Sequence, residues 1–203
     1  MPAGSGPSLK RAAEDFRDYL ERSMGVRVAL ESPASLEGWS GARRAIVAGT
    51  RDQLPGCGAA LKAAKDYRIV AGEERIAVCG YDEHGAVYGL YNLEARMNLR
   101  EGPFLPAGLD TTRHSLYRAR MVLSGIGYLE WPDAYLRLLA HYGFDAIFAS
   151  DYANPNGSQT YSHQNNKRKG NPAVVHDLIR RAAKYGLELY ERISSGQSLR
   201  RRR

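Results

Sequence analysis

Hydrophobic positions in the first hundred residues follow the order helix, strand, strand, hairpin, helix. Apolar residues recur at helical spacing over 8–24 and again from Asp82 to Met97, which predicts two long helices. Apolar runs between them predict strands over 26–30, 45–48, 67–71 and 75–79, with a short helix over 59–64. Gly72-Glu73-Glu74 separates the last two strands and favours a hairpin. The order predicts an α+β domain over 8–100, a small sheet with helices on one face.

The pattern changes after residues 101–117, an irregular stretch with glycine and proline that we interpret as a linker. Beyond it, from 118 to 191, apolar patterning predicts β-α-β-α-β, which implies parallel strands with right-handed crossovers. The predicted strands are 120–124, 144–149 and 187–190, and the predicted helices are 132–142 and 172–185. Three such strands leave both sheet edges unpaired. We therefore expect the chain to be the N-terminal piece of a longer protein.

Composition is ordinary for a globular protein of 203 residues, with 43% apolar and 25% charged residues. These values exclude a fibrous or wholly disordered chain. No run approaches the roughly 18 apolar residues of a membrane span, so no membrane partner is expected. The N-terminus lacks a basic region followed by an apolar core, which predicts a cytoplasmic protein without a secretory signal. The sequence does not indicate an oligomeric state.

The net charge of +7 is concentrated at the end of the chain. Residues 192–203 contain five arginines and no acid, and without them the net charge is +2. A polyarginine segment binds phosphate without sequence specificity. We therefore expect no specific nucleic-acid partner, and we expect this basic tail to be disordered.

Cysteine, histidine and glycine patterns give little support for a cofactor. Cys57 and Cys79 are too few for a disulfide framework and are more typical of small buried apolar groups than of a bridge or a reactive pair. The five histidines lack metal-ligand spacing, so no metal site is predicted. Gly125 and Gly127 follow a predicted strand as in a dinucleotide fingerprint, but Glu130 occupies the third glycine position. A dinucleotide-binding domain is therefore the less favoured alternative, and no cofactor is expected.

The segment from Tyr67 to Tyr91 carries a family resemblance. It is similar to the hairpin and helix of the small α+β domain that precedes the catalytic barrel in β-N-acetylhexosaminidases (family 20) and α-glucuronidases (family 67). The residues at the family's spacing are Gly80, Asp82, Gly85 and Gly89. Their chemistry favours structural roles, since Asp82 can cap the helix and Gly85 and Gly89 share one helical face that can approach the sheet closely.

A second resemblance follows in the chain. Residues 117–123, and after a helix residues 142–147, resemble the first strand, helix and second strand of the (β/α)8 barrel in those enzymes. The two features together cover about residues 8–190. The resemblance implies an α+β domain followed by an incomplete (β/α)8 barrel, the beginning of a glycoside hydrolase that acts on oligo- or polysaccharides.

In a (β/α)8 barrel, the site is built from loops at the carboxyl ends of the strands. The predicted substrate-binding residues are Arg120, Trp131, Asp151 and Asn154. By resemblance, Arg120 matches an arginine that holds sugar hydroxyls, and the alternative is a surface or salt-bridged strand residue. For Asp151, the alternative to sugar binding is a carboxylate that stabilises a loop or caps a helix. Because Met121 and Ser124 depart from the hexosaminidase pattern, a glycosidase of related architecture fits equally well.

Catalysis needs groups beyond these. Glycoside hydrolysis generally uses two carboxyl groups that flank the scissile bond. In the families resembled, these groups lie on later barrel strands, so no catalytic residue is predicted here and the isolated chain is expected to be inactive. The alternative function is a non-catalytic carbohydrate-binding or scaffolding module.

Overall fold

The computed structural model describes residues 1–123, 131–148, 172–191 and 200–202. The chain divides into two compact units, Met1–Leu116 and Tyr117–Arg203. Across the described residues it is a mixed α+β protein with four α-helices and two four-stranded sheets. No helix among those residues has the length and apolar character needed to cross a membrane.

The first unit is built on a sheet whose strands lie in the order β1-β3-β2-β4. The strands are β1 Ala45–Thr50, β2 Tyr67–Ala71, β3 Arg75–Gly80 and β4 Asp110–Arg113. β2 and β3 form an antiparallel hairpin around Gly72-Glu73-Glu74, which confirms the predicted turn. β1 pairs with β3 in parallel, and β4 pairs with β2 antiparallel.

Two helices accompany this sheet, α1 at Pro7–Met24 and α2 at Glu83–Asn98. The apolar face predicted for α1 is buried, with Leu9, Phe16 and Leu20 at 4% exposure or less. Gly25 ends the helix at φ +66, and its N–H bonds to the carbonyl of Leu20. α2 packs against α1 and against strands β1 to β3. This helical layer agrees with the α+β prediction.

The loop between β1 and β2 contributes a second core cluster. The buried members of the cluster are Val47, Leu54, Cys57, Leu61, Ala77 and Cys79. Trp39 and Leu36, from the segment before β1, pack on the same cluster. Burial of this apolar surface is the main stabilising contribution of the loop.

Three expectations for the first unit are wrong in detail. Residues 26–30 form no strand, since no strand among the described residues pairs with them. Residues 59–64 form turns and an irregular segment rather than a helix, because the Asp66 carboxylate accepts the N–H groups of Lys62 and Ala63. The predicted linker contains β4. This strand has no apolar pattern of its own and forms because it pairs with β2.

The second unit follows the predicted β-α-β-α-β order. Its strands are β5 Met121–Leu123, β6 Ala146–Phe148, β7 Glu188–Glu191 and β8 Arg200–Arg202, and its helices are α3 Asp133–His141 and α4 Pro172–Ala183. β5, β6 and β7 are parallel neighbours, as predicted. β8 adds antiparallel to β7, a difference from the expectation of a disordered tail.

Candidate functional site

Arg120 lies at the amino end of β5, where it is bound to Asp145. Its backbone N–H donates to Asp145 Oδ2 at 2.6 Å, and its carbonyl accepts from the N–H of Asp145 at 2.8 Å. The guanidinium Nε lies 3.7 Å from the same carboxylate oxygen, and the Asp145 side chain is 6% exposed. These contacts join the start of β5 to the residue before β6. They fit the salt-bridged alternative for Arg120.

Trp131 lies in the connection between β5 and α3, after the strand that Arg120 precedes. It directly precedes Pro132, the N-cap of α3, so it follows the carboxyl end of β5 in the chain. A strand of three residues rises roughly 10 Å, and Arg120 precedes that strand whereas Trp131 follows it. The order along the chain assigns the two residues to opposite ends of β5, and their convergence at one site stays a prediction. In parallel α/β folds the sites form at the carboxyl ends of the strands, the end that Trp131 follows in the chain.

The Trp131 side chain is wholly buried, at 0% exposure. Its ring stacks on Tyr135 with centroids 5.6 Å apart. Its backbone has φ +42, a left-handed conformation that is rare for a bulky residue and signals local strain. The indole Nε1 has no hydrogen-bond partner among the described residues, which is costly for a buried donor. Its contact with a sugar remains a prediction.

Arg181 of α4 holds the Trp131 carbonyl and the Asp133 side chain, and it is not among the residues predicted from the sequence. Its Nη1 donates to the Trp131 carbonyl at 2.5 Å and to Asp133 Oδ1 at 3.1 Å. Its Nε donates to Asp177 Oδ2 at 2.8 Å, four residues earlier on the same helix. The i,i+4 spacing of Asp177 and Arg181 was the signal available in the sequence.

The pKa shifts of Arg181 and Asp177 agree with these ion pairs. Burial acts to lower the pKa of Arg181, but hydrogen bonds with Asp177 and Asp133 outweigh it and leave the pKa raised. The pKa of Asp177 is lowered by hydrogen bonds from Arg181 and then Arg180. Arg181 and Asp177 are therefore both ionised near neutral pH, and Arg181 holds the start of α3 against α4.

The remaining predicted site residues lie outside the described part of the chain. They are Asp151 and Asn154. The residues of the dinucleotide-like pattern, Gly125, Gly127 and Glu130, also lie outside the described part. Their convergence with Trp131 stays a prediction. Among the described residues, no group of three His, Cys, Asp or Glu side chains could hold a metal ion.

In the first unit, the motif residues have the structural roles that their chemistry predicted. Asp82 Oδ1 accepts the N–H of Gly85 at 2.8 Å, which confirms the helix cap, and the N–H of Lys65 at 3.2 Å. A Cβ on Gly85 would lie 2.2 Å from the Asp66 carbonyl oxygen, and one on Gly89 would lie 2.4 Å from Val78 Cγ1. These approaches confirm close packing of α2 on the sheet.

Asp66 is a buried carboxylate in the first unit, and no local pattern of residues predicts it. Its side chain is 1% exposed. Oδ2 accepts from the N–H groups of Lys62 and Ala63 and lies 2.7 Å from His114 Nδ1, and Oδ1 accepts from Ser115 N–H. Burial acts to raise its pKa, but these partners lower it to about 2. The group is therefore an anchor between two loop segments.

Comparison with known proteins gives a likeness in structure only. No family model matches the sequence, and no curated protein matches it. Among solved structures, the GH20 β-N-acetylhexosaminidase from Streptomyces coelicolor A3(2) matches with a TM-score of 0.62 at 17% identity, over 94% of this chain and 40% of that one. A family GH115 4-O-methyl-α-glucuronidase with specificity for decorated arabinogalactans matches with a TM-score of 0.61 at 12% identity, over 93% and 27%.

A GH138 enzyme targeting pectin rhamnogalacturonan II matches at a TM-score of 0.62 and 15% identity, over 94% of this chain and 24% of that enzyme. The chain has a glycoside hydrolase-like fold. Several families share it, and identities of this size assign the chain to none of them. The chain spans well under half the length of each of these enzymes.

Proposed function

We propose that the chain is the N-terminal portion of a carbohydrate-active enzyme that hydrolyses O-glycosyl bonds. The observation that carries the proposal is the likeness to glycoside hydrolases over both units, 93% or more of the chain in each comparison reported above. A small α+β unit followed by parallel βα units is a specific order of elements. The sequence resemblance of Tyr67–Tyr91 points to the same group of enzymes independently of the coordinates.

In this proposal the second unit is the beginning of a (β/α)8 barrel. β5, β6 and β7 are its first parallel strands, and α3 and α4 are the crossovers between them. The sugar site lies at the carboxyl ends of these strands. Asp151 and Asn154 follow β6 in the sequence, so these two residues contribute one side of that site. Trp131 follows β5, and because its side chain is wholly buried its role there is indirect.

Arg120 has a different place in the proposal. It precedes β5, and its contacts with Asp145 hold the amino ends of β5 and β6 in register. Barrel residues at this end contribute to stability rather than to chemistry. An indirect role therefore fits Arg120 better than direct contact with sugar hydroxyls.

The two carboxyl groups of glycoside hydrolysis come, in this proposal, from later strands of the barrel. The enzymes with similar structures act on unlike substrates, among them decorated arabinogalactans and pectin, so the sugar itself is not inferred. The substrate class is an oligo- or polysaccharide.

The test uses the polypeptide as its own cells make it. The native product is captured with an antibody against the first unit, its intact mass is measured, and it is assayed against aryl glycosides, including an aryl β-N-acetylglucosaminide and an aryl α-glucuronide. We expect a mass well above 22.5 kDa and release of the aryl group. The 203-residue chain, assayed in parallel, is expected to release none.

Other outcomes separate the alternatives. A native product that neither hydrolyses these glycosides nor is retained on immobilised glycans would overturn the proposal. Glycan retention without turnover would replace it with a carbohydrate-binding or scaffolding module. Turnover by the 203-residue chain that is abolished by Asp151→Asn would show that the catalytic carboxylates do not come from later strands.

A further inference from the structure

The two cysteines of the chain meet in the core of the first unit. Cys57 lies in the loop between β1 and β2, and Cys79 lies on β3, 22 residues later. Their exposures are 3% and 0%. Both side chains belong to one buried cluster of the core. A Cβ on Gly58 would lie 3.2 Å from Cys79 Sγ, which places that sulfur against the residue following Cys57.

Arg68 is the charged group beside this pair. Its Nη1 donates to the Cys57 carbonyl at 3.1 Å, while its Nε and Nη2 donate to Asp110 at 2.8 and 2.7 Å. The hydrogen bond from Cys79, followed by the charge of Arg68, lowers the pKa of the Cys57 thiol despite burial. The same hydrogen bond and burial raise the pKa of Cys79. Cys57 lies in a loop and Cys79 on a strand, so Cys57 is the sulfur that an external disulfide reaches first.

The Cys57 loop offers a short route to the thiols. Pro55 and Gly56 before Cys57 are exposed, and Ala59 and Ala60 are exposed after the buried Gly58. This part of the loop is a series of turns, and Cys57 N–H bonds only to the nearby Leu54 carbonyl. Local opening of a few turn residues costs much less than global unfolding. Such an opening exposes Cys57 before the strand that carries Cys79.

We infer that Cys57 and Cys79 form a redox-active pair, which closes to an intramolecular disulfide on reaction with a small external disulfide such as oxidised glutathione. The Cys57 thiolate attacks one sulfur of the external disulfide, which breaks that S–S bond and releases one thiolate. The Cys79 thiolate then attacks the Cys57 sulfur and releases the second thiol. The two protein thiols are oxidised, the external disulfide is reduced to two thiols, and the two protons pass to the released sulfurs.

The bond would tie the loop to the sheet. A cross-link between residues 57 and 79 restricts the unfolded chain more than the folded one, in which both side chains already lie in one core cluster. Oxidation is therefore expected to raise the thermal midpoint of the first unit by several degrees. This inference is independent of the enzymatic proposal, because it concerns the first unit alone.

The experiment equilibrates the folded chain in glutathione buffers from fully reduced to fully oxidised, followed by acid quenching, intact mass and peptide mapping. We expect the loss of two hydrogen atoms per chain, a peptide pair linked through Cys57 and Cys79, and full reversal by dithiothreitol. The thermal midpoint should rise with the oxidised fraction. In Cys79→Ala, Cys57 should instead hold one glutathione, whereas in Cys57→Ala the buried Cys79 should stay free.

Two results would overturn the inference. One is that both thiols of the wild-type chain stay free at every glutathione ratio. The other is that only mixed or intermolecular disulfides form while the chain remains folded. Because the wild-type measurement decides between these outcomes, the inference stays testable even if an alanine variant fails to fold.

Discussion

At the scale of single residues, Asp66 illustrates a buried charge that joins separate segments of backbone. Its carboxylate accepts three backbone N–H groups and is paired with His114. Asp66→Asn keeps one acceptor oxygen and places an NH₂ donor among these N–H donors. We expect a loss of about 2–3 kcal/mol in the free energy of unfolding, measured by urea titration. Asp52→Asn is the control, since the Asp52 side chain is 84% exposed and should change stability by less than about 0.5 kcal/mol.

The same carboxylate gives a prediction for pH. The pKa of Asp66 is about 2 in the folded chain against an ordinary value of 3.8. A lowered folded pKa stabilises the protein above the unfolded pKa, and the contribution disappears as the pH falls through the folded value. We expect the stability difference between wild type and Asp66→Asn to shrink by about 2 kcal/mol between those two pH values. A difference that stays constant in acid would contradict this assignment.

At the scale of elements, α2 depends on two glycines that let it approach its neighbours. Alanine at either position would gain about 1 kcal/mol in helix propensity, but its Cβ would clash. At Gly85 the obstacle is the backbone oxygen of Asp66, and at Gly89 it is the Val78 side chain. We expect net losses of about 2–3 kcal/mol for Gly85→Ala and about 1 kcal/mol for Gly89→Ala in urea unfolding.

A matched variant tests whether the cause is steric. An added Cβ at Gly38 meets nothing within 4 Å, and its φ is −83°, so Gly38→Ala should leave stability unchanged or slightly higher. If Gly85→Ala were as stable as Gly38→Ala, the close approach of α2 would not hold in solution.

The elements also show which parts of the fold can be predicted from the sequence. The β2–β3 hairpin and both long helices of the first unit follow from local signals, namely Gly72-Glu73-Glu74, a 3.6-residue apolar period and the Asp82 cap. β4 has no such signal, because its pairing with β2 and the Arg68–Asp110 ion pair are contacts between distant residues. Residues 26–30 have a strand-like pattern but pair with no strand among the described residues, so the pattern alone was misleading.

The candidate site is harder to predict for the same reason. Arg120 and Trp131 are predicted from the sequence as sugar-binding residues, but their places depend on strand direction and packing. Asp145 binds Arg120 at the amino end of β5, and Arg181 binds the Trp131 carbonyl from another helix. Neither contact has a local signal that sets it apart from an ordinary surface ion pair. Parallel strand order was predictable, and the partners of individual side chains were not.

At the scale of the whole molecule, the first unit has the features of an independent folding unit. Its sheet is packed against α2 and against the loop cluster of Cys57 and Leu61, and its last anchor is Ser115 N–H on Asp66. We expect residues 1–116 alone to give a cooperative urea transition and a near-UV dichroism spectrum of packed aromatic side chains. Asp66→Asn should lower the midpoint of this fragment as it lowers that of the full chain. An unfolded fragment, beside a folded full chain, would mean that the first unit does not fold without the second.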